Sequence, residues 1–64
     1  MTRSQVRKLV QDSSLERIRE VLNQLQALKR HEKIPDEQRG FLHDLRDHEE
    51  FFRTLADARL QSGK

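Results

Sequence analysis

The chain has 64 residues, contains no cysteine, tryptophan or tyrosine, and is 38% charged. This length allows one domain at most with a small core, and the lack of cysteine excludes disulfides and thiolate metal sites. No apolar run is long enough to span a membrane, and no signal-peptide core follows the N-terminus. We therefore expect a single cytoplasmic domain over residues 1–64.

Charge is distributed unequally between the two halves of the chain. Residues 1–33 carry eight basic and four acidic side chains, whereas residues 34–64 carry five basic and seven acidic ones. A basic half followed by an acidic half suits two helices that pack antiparallel and attract each other. It also leaves basic side chains on the outer surface of the first helix, available to a polyanion.

The first predicted element is a helical arm over residues 3–31. Apolar side chains recur within it at three- and four-residue steps, which indicates the buried face of an amphipathic helix. These side chains are Leu15, Ile18, Val21, Leu22, Leu25 and Leu28. Such a face must pack against another element, and the rest of the chain provides it.

Two interpretations of the start of this arm are open. Ser13 and Glu16 have the spacing of a capping box, which favours a break in the helix near residues 12–14. Val6 and Val10 instead continue the apolar face of the later residues, which favours one long helix, straight or kinked. A hairpin buries most when its arms match, and the long arm would span about 43 Å against about 39 Å for the second arm. We therefore prefer the long arm.

A connection over residues 32–35 and a second helical arm over residues 36–61 follow. Pro35 disfavours helix at Ile34 and suits the first position of the next helix, so the first arm stops before Ile34. Gly40 marks either close packing or a later start of the second helix. The second arm has a heptad seam that includes a histidine and an arginine. The seam comprises Phe41, Leu45, His48, Phe52, Leu55 and Arg59.

A short connection forces two amphipathic arms to lie antiparallel, so the predicted fold is an all-α, antiparallel two-helix hairpin. Four apolar side chains lie at the edges of their stripes and indicate a second apolar surface. They are Leu15, Leu22, Leu42 and Phe51. Self-association of two hairpins into a four-helix bundle is the economical use of this surface, and docking of a partner helix is the other use.

Groups that could carry chemistry are few. His43 with Asp47, and Asp44 with His48, are each four residues apart, so each pair offers two metal ligands on one helix face. A solvated helix face is the preferred interpretation, because metal sites in bundles take ligands from several helices. For His48 in the seam, a partly buried and hydrogen-bonded histidine is the preferred interpretation, and pH sensing is the alternative. No turn motif places a histidine beside a serine, and no glycine loop cradles a phosphate. We therefore predict no enzyme, metal, cofactor or small-molecule substrate.

Basic side chains on the first arm support nucleic-acid binding as the alternative function. Two of them lie one helical turn apart, and clustered cations contact phosphates. The candidates are Arg3, Arg7, Lys8, Arg17 and Lys29. The arm is too apolar and too interrupted by acids for a bare recognition helix, and all three phenylalanines lie in the acidic half.

Residues 1–3 (MTR) and residues 42–44 (LHD) of this chain are similar to the Rop family of plasmid RNA-binding proteins. The resemblance implies a hairpin that dimerises into a four-helix bundle. It implies no site residues, because the RNA face of that family includes an aromatic residue on the first helix and the first arm here has none.

The sequence therefore predicts a non-enzymatic regulatory module that binds itself, as a homodimer, or a larger protein through apolar helix faces. The basic and acidic arms would set orientation and specificity. The alternative is an RNA-binding dimer that uses the basic first arm. Salt separates the two, because binding to phosphates weakens steeply as salt rises.

Overall fold

The computed structural model describes residues 1–62, so the last two residues of the expected domain lie outside the described residues. It contains four helices over that range: α1 (Arg3–Asp12), α2 (Leu15–Lys29), α3 (Asp36–Arg46) and α4 (Glu49–Ser62). No strand occurs in the described part of the chain, and the all-α prediction is confirmed. None of the four helices combines the length and apolar composition needed to cross a bilayer.

The first arm is broken between α1 and α2, as one of the two interpretations allowed. Ser13 and Ser14 are both extended, with ψ of 148° and 161°. The Ser14 hydroxyl oxygen accepts a hydrogen bond from the Arg17 N–H at 3.1 Å and caps α2. The preference for one continuous arm is therefore wrong. The break lies where we placed it, but Ser14 rather than Ser13 provides the cap.

The start of α1 is held by a capping box that was not predicted from the sequence. The Thr2 hydroxyl oxygen accepts from the Gln5 N–H at 3.2 Å, and the Gln5 side-chain oxygen accepts from the Thr2 N–H at 2.8 Å. Both bonds satisfy donors that a helix N-terminus would otherwise leave free. This short helix is thus fixed at its first turn by its own residues.

A Schellman motif ends α2 and turns the chain back. The His31 N–H donates to the Leu28 carbonyl at 3.2 Å, and the Glu32 N–H donates to the Ala27 carbonyl at 2.9 Å. His31 has a φ of 58°, in the left-handed region. Ile34 follows outside the helices and is buried at 7% exposure, so the connection itself contributes to the core.

The second arm is also divided, which was not predicted from the sequence. α3 ends at Arg46, and the His48 N–H then donates to the Leu45 carbonyl three residues back at 2.9 Å. This tighter bond interrupts the α-helical ladder before α4 begins. Gly40 lies inside α3, and a β-carbon added to it would meet no neighbouring atom within 4 Å, so both explanations offered for this glycine are wrong.

The four helices pack against one another mainly through contacts between the two arms. α1 packs mainly on α4, and the two run in the same direction, because Met1 contacts His48 while Gln11 contacts Arg59. α2 ends where α4 begins, since Lys29 contacts Glu49. The largest extent of the molecule is 31 Å. The helix–helix packing is compatible with a hairpin or bundle, and the pairing of two chains stays a prediction. The order of contacts differs from that of two straight antiparallel arms, because each arm is broken.

A core of apolar side chains joins all four helices and the connection. Its members are Val6, Val10, Ile18, Val21, Leu25, Ile34, Leu42, Leu45, Phe52 and Ala56. In the second arm the buried face is rotated from the predicted seam: Leu42 and Ala56 are fully buried, while Phe41 and Leu55 lie half-buried at its edge. The core therefore uses neighbouring positions of the same apolar pattern.

Candidate interaction surface

An open groove runs between the parallel helices α1 and α4, with a volume of about 520 Å³. Its apolar floor is formed by Val10 of α1 and by Leu55 and Ala58 of α4. Arg7 and Arg59 line it as cations, and Gln11 and Ser62 complete the lining. Val10 is buried, Leu55 is half-buried and Ala58 is exposed, so the groove has a small apolar surface open to solvent.

Arg59 connects the two helices that form this groove. One nitrogen of its guanidinium, Nη1, donates to the carbonyl oxygens of Val10 and, at 2.9 Å, Gln11. These carbonyls belong to the last turn of α1, where the helix itself provides no donor and no basic side chain. A cation at a helix C-terminus also interacts favourably with the helix dipole. Arg59 therefore caps α1 from another helix.

Two further contacts join the beginning of α1 to α4. The His48 Nε2 lies 2.6 Å from the Met1 carbonyl oxygen. The Arg3 guanidinium carbon lies 5.4 Å from the ring centroid of Phe51, a cation–π distance. Both ends of α1 are thus attached to α4 by polar contacts in addition to buried valines.

An ion pair between Lys29 of α2 and Glu49 of α4 joins these two helices. The two groups are 2.7 Å apart, with exposed side-chain fractions of 49% and 16%. Glu49 lies on the inner side of the second arm, where a carboxylate needs a partner. Sequence reasoning treated Lys29 as a nucleic-acid contact and did not assign Glu49, because no local spacing connects residues in different arms.

The four apolar residues predicted to contact a partner do not form one surface. Leu42 has 0% exposure, so the prediction that it lies at the edge of its stripe is wrong; the rotation of the buried face places it in the core. Leu15 and Leu22 are half-buried on α2, and Phe51 is half-buried under Arg3. Much of the apolar surface that was predicted to contact a partner is therefore covered by other residues of the same chain.

The five basic residues of the alternative function are also dispersed. Arg3 lies over Phe51, and Lys29 pairs with Glu49. Arg17 donates to the Gln38 side-chain oxygen at 3.4 Å and lies 3.6 Å from a Glu20 carboxylate oxygen. These three cations hold parts of the fold together. Arg7 and Lys8 are exposed on α1.

The histidines considered for metal binding occupy different environments. His48 contacts the Met1 carbonyl, while His43 lines a cleft beside the α2–α3 connection together with His31, Arg39 and Arg46. Over residues 1–62, no group of three histidine or carboxylate side chains is placed to hold a metal ion. His43 instead lies in a mainly basic environment.

Sequence reasoning missed the groove, although part of its signal was present. Leu55 had been assigned to the buried seam, and Val10 to the face shared with α2. The small residue Ala58, three positions after Leu55, could have indicated a place where another backbone approaches α4 closely. Its pairing with α1 depends on the fold-back at Ser13 and Ser14 and could not be read from spacing.

Comparisons with protein-family models, with curated proteins and with solved structures give no significant match. The geometry of the groove and of its surroundings therefore carries the functional argument.

Proposed function

We propose that the protein is a non-enzymatic interaction module that binds a helix of a partner protein in the groove between α1 and α4. The observation that supports this most is the combination of an apolar floor with two guanidinium groups in one groove. An amphipathic helix that docks in such a groove buries apolar side chains spaced three and four residues apart.

The charges of the groove define the chemistry of the partner. Arg7 forms no ion pair with any of the described residues, and Arg59 uses only Nη1 for its bonds to α1. A guanidinium has five N–H donors, so Arg59 keeps donors for a second acceptor. A partner helix with glutamate or aspartate beside its apolar stripe would pair with both arginines.

The distribution of the other cations favours this function over RNA binding. Phosphate-driven binding needs several free cations on one face. Arg3, Arg17 and Lys29 are instead engaged with an aromatic ring, an amide and carboxylates of the chain itself. Nucleic-acid binding is therefore an outcome that the test below would detect, and the groove is the preferred site.

A designed helical peptide tests the proposal directly. Its leucines would be spaced three and four residues apart and flanked by glutamates, and binding would be followed by two-dimensional NMR of the isotope-labelled protein. We expect the largest shift changes at Val10, Leu55 and Ala58. Ala58→Arg should abolish binding by filling the groove from an exposed position, whereas Gln61→Arg, with the same new side chain on the same helix, should leave it intact.

Two results would contradict the proposal. One is a peptide response centred outside the groove, or one equal in Ala58→Arg and Gln61→Arg. The other is tight binding of a labelled RNA hairpin that weakens steeply with salt and persists in Ala58→Arg. The second result would restore the basic residues of α1 as the functional surface.

A further inference from the structure

We propose that α1 exchanges between two copies of the chain, so that the α1 of each copy packs on the α4 of the other. This goes beyond the groove, because it concerns the position that α1 itself occupies. The partner is a second copy of this chain, and the site is incomplete until an α1 fills it.

The packing of α1 supports exchange, because this helix is attached mainly to α4. Val6 and Val10, at 0% and 4% exposure, are the core residues of α1. Its polar contacts, to His48, Phe51 and Arg59, all go to α4 or to the residue that precedes it. An α1 from a second copy could make every one of these contacts.

The rest of the chain keeps its own contacts when α1 leaves. α2 packs on α3 and α4, and α3 packs on α4. The Lys29–Glu49 ion pair and the Arg17–Gln38 hydrogen bond also lie outside α1. The body formed by α2, α3 and α4 therefore presents the same acceptor surface to either α1.

The link between α1 and α2 is a two-residue hinge. Ser13 and Ser14 have φ of −83° and −69° with extended ψ, and the chain is helical on both sides. If both serines became helical, α1 and α2 would merge into one helix over residues 3–29, about 40 Å long. That helix would carry α1 away from its own α4.

The sequence is already patterned for the merged helix. Val6 and Val10 lie on the same face as Val21 and Leu25 when the helix is continuous. That agreement is not needed by the folded-back chain, in which Ser14 stops the helix by its cap. The same two valines therefore pack in both states. In the monomer they pack on the chain's own α4, and in the dimer they pack on the α4 of the second copy.

Two substitutions at Ser14 separate the states while removing the same cap. Ser14→Ala permits the merged helix. Ser14→Pro fits the observed φ of −69°, removes no backbone hydrogen bond made by Ser14 N–H, and disfavours helix at Ser13, so it blocks the merged helix. We expect Ser14→Ala to raise the dimer association constant roughly 25-fold, about fivefold at each of two hinges. Ser14→Pro should stay monomeric at every concentration.

Light scattering coupled to size-exclusion chromatography over a wide concentration range measures these constants, and far-UV circular dichroism checks that each variant is folded. Equal dimerisation of Ser14→Ala and Ser14→Pro would overturn the proposal, as would monomers in the wild type and both variants. A peptide that binds the groove of a strictly monomeric protein would overturn exchange and leave the proposed function standing.

Crosslinking then distinguishes exchange from dimers that merely touch. The chain has no cysteine, so a chain carrying Arg7→Cys can be mixed with one carrying Ala58→Cys and treated with a short thiol crosslinker. These positions line one groove between α1 and α4. Exchange should give a crosslinked heterodimer from the mixture and little crosslinked product from either variant alone. Equal products from the mixture and from the single variants would contradict exchange.

Discussion

Substitution of His31 tests the backbone conformation of the turn that ends α2. Its φ of 58° places a β-carbon in the left-handed region, which costs an L-residue about 1–2 kcal/mol. The two backbone hydrogen bonds of the Schellman motif depend on this conformation, so the fold retains it despite the cost. Glycine is the usual residue at this position because it lacks the β-carbon. We therefore expect His31→Gly to stabilise the protein.

The size of the effect follows from two opposing terms. Removing the β-carbon relieves the cost of the left-handed conformation, while glycine loses about 0.5–1 kcal/mol more conformational free energy on folding. The net gain should be about 0.5–1 kcal/mol in the free energy of unfolding. For a chain of 64 residues this raises the Tm by about 4–7 °C.

Urea and thermal unfolding, followed by far-UV circular dichroism, measure both quantities. His31→Ala is the matched control, because it removes the imidazole but keeps the β-carbon. It should unfold close to the wild type, well below His31→Gly. If the glycine variant were no more stable than the alanine variant, His31 would not have the left-handed conformation in solution.

Three further substitutions test other parts of the structure. Gly40→Ala should raise the free energy of unfolding by about 0.5–1 kcal/mol, because its β-carbon meets no atom within 4 Å; a loss in urea unfolding would contradict that packing. Leu42→Ala should cost about 3 kcal/mol and Leu15→Ala less than about 1 kcal/mol, and equal costs would mean that the buried face is misplaced. Arg59→Ala should lower the protection of α1 amides against hydrogen exchange by about 1–2 kcal/mol, with α2 amides less affected. A uniform loss over both helices would show that Arg59 does not cap α1 specifically.

Local rules predicted where the first arm ends, but they did not decide whether the arm is one helix or two. Pro35 correctly placed the non-helical connection, and the serines marked the break. The argument from matched arm lengths failed because the second arm is itself broken, so no long partner is present. Tertiary contacts between α1 and α4 decided between two local interpretations of similar merit.

The break in the second arm has no comparable sequence signal. Neither proline nor glycine occurs between Arg46 and Glu49, and the heptad pattern continues across the junction. The heptad pattern did not predict that the buried face of the second arm is rotated from the expected seam. Positions 42, 45, 49, 52 and 56 have the same alternating spacing as the predicted seam, but they include Glu49 in place of His48. The spacing of the apolar residues alone is compatible with either of these two registers.

Lys29 explains why the register with a carboxylate near the core is tolerated. Glu49 keeps only 16% of its side chain exposed and has a cation 2.7 Å away. A carboxylate in this position without a partner would be costly, whereas His48 in the alternative register would lose its contact with the Met1 carbonyl. The two registers thus differ in long-range polar partners, and sequence spacing contains no information about those.

The candidate groove was hidden from the sequence for the same reason. The charge asymmetry of the chain suggested that its halves attract each other through ion pairs. Among the described residues, however, Lys29–Glu49 is the one ion pair that joins the two halves; the others link close neighbours in sequence. Arg3 and Arg59 instead contact an aromatic ring and backbone carbonyls.

Cations that bind neutral acceptors keep much of their charge uncompensated, and this connects the fold to the proposed function. Arg59 stabilises the end of α1 through one nitrogen and still presents a positive charge beside the apolar floor of the groove. A salt bridge in the same place would have consumed that charge. In the proposed function, the contact that holds α1 on α4 would also favour an acidic helix in the groove, and a substitution that detaches α1 from α4 would weaken binding of that helix as well.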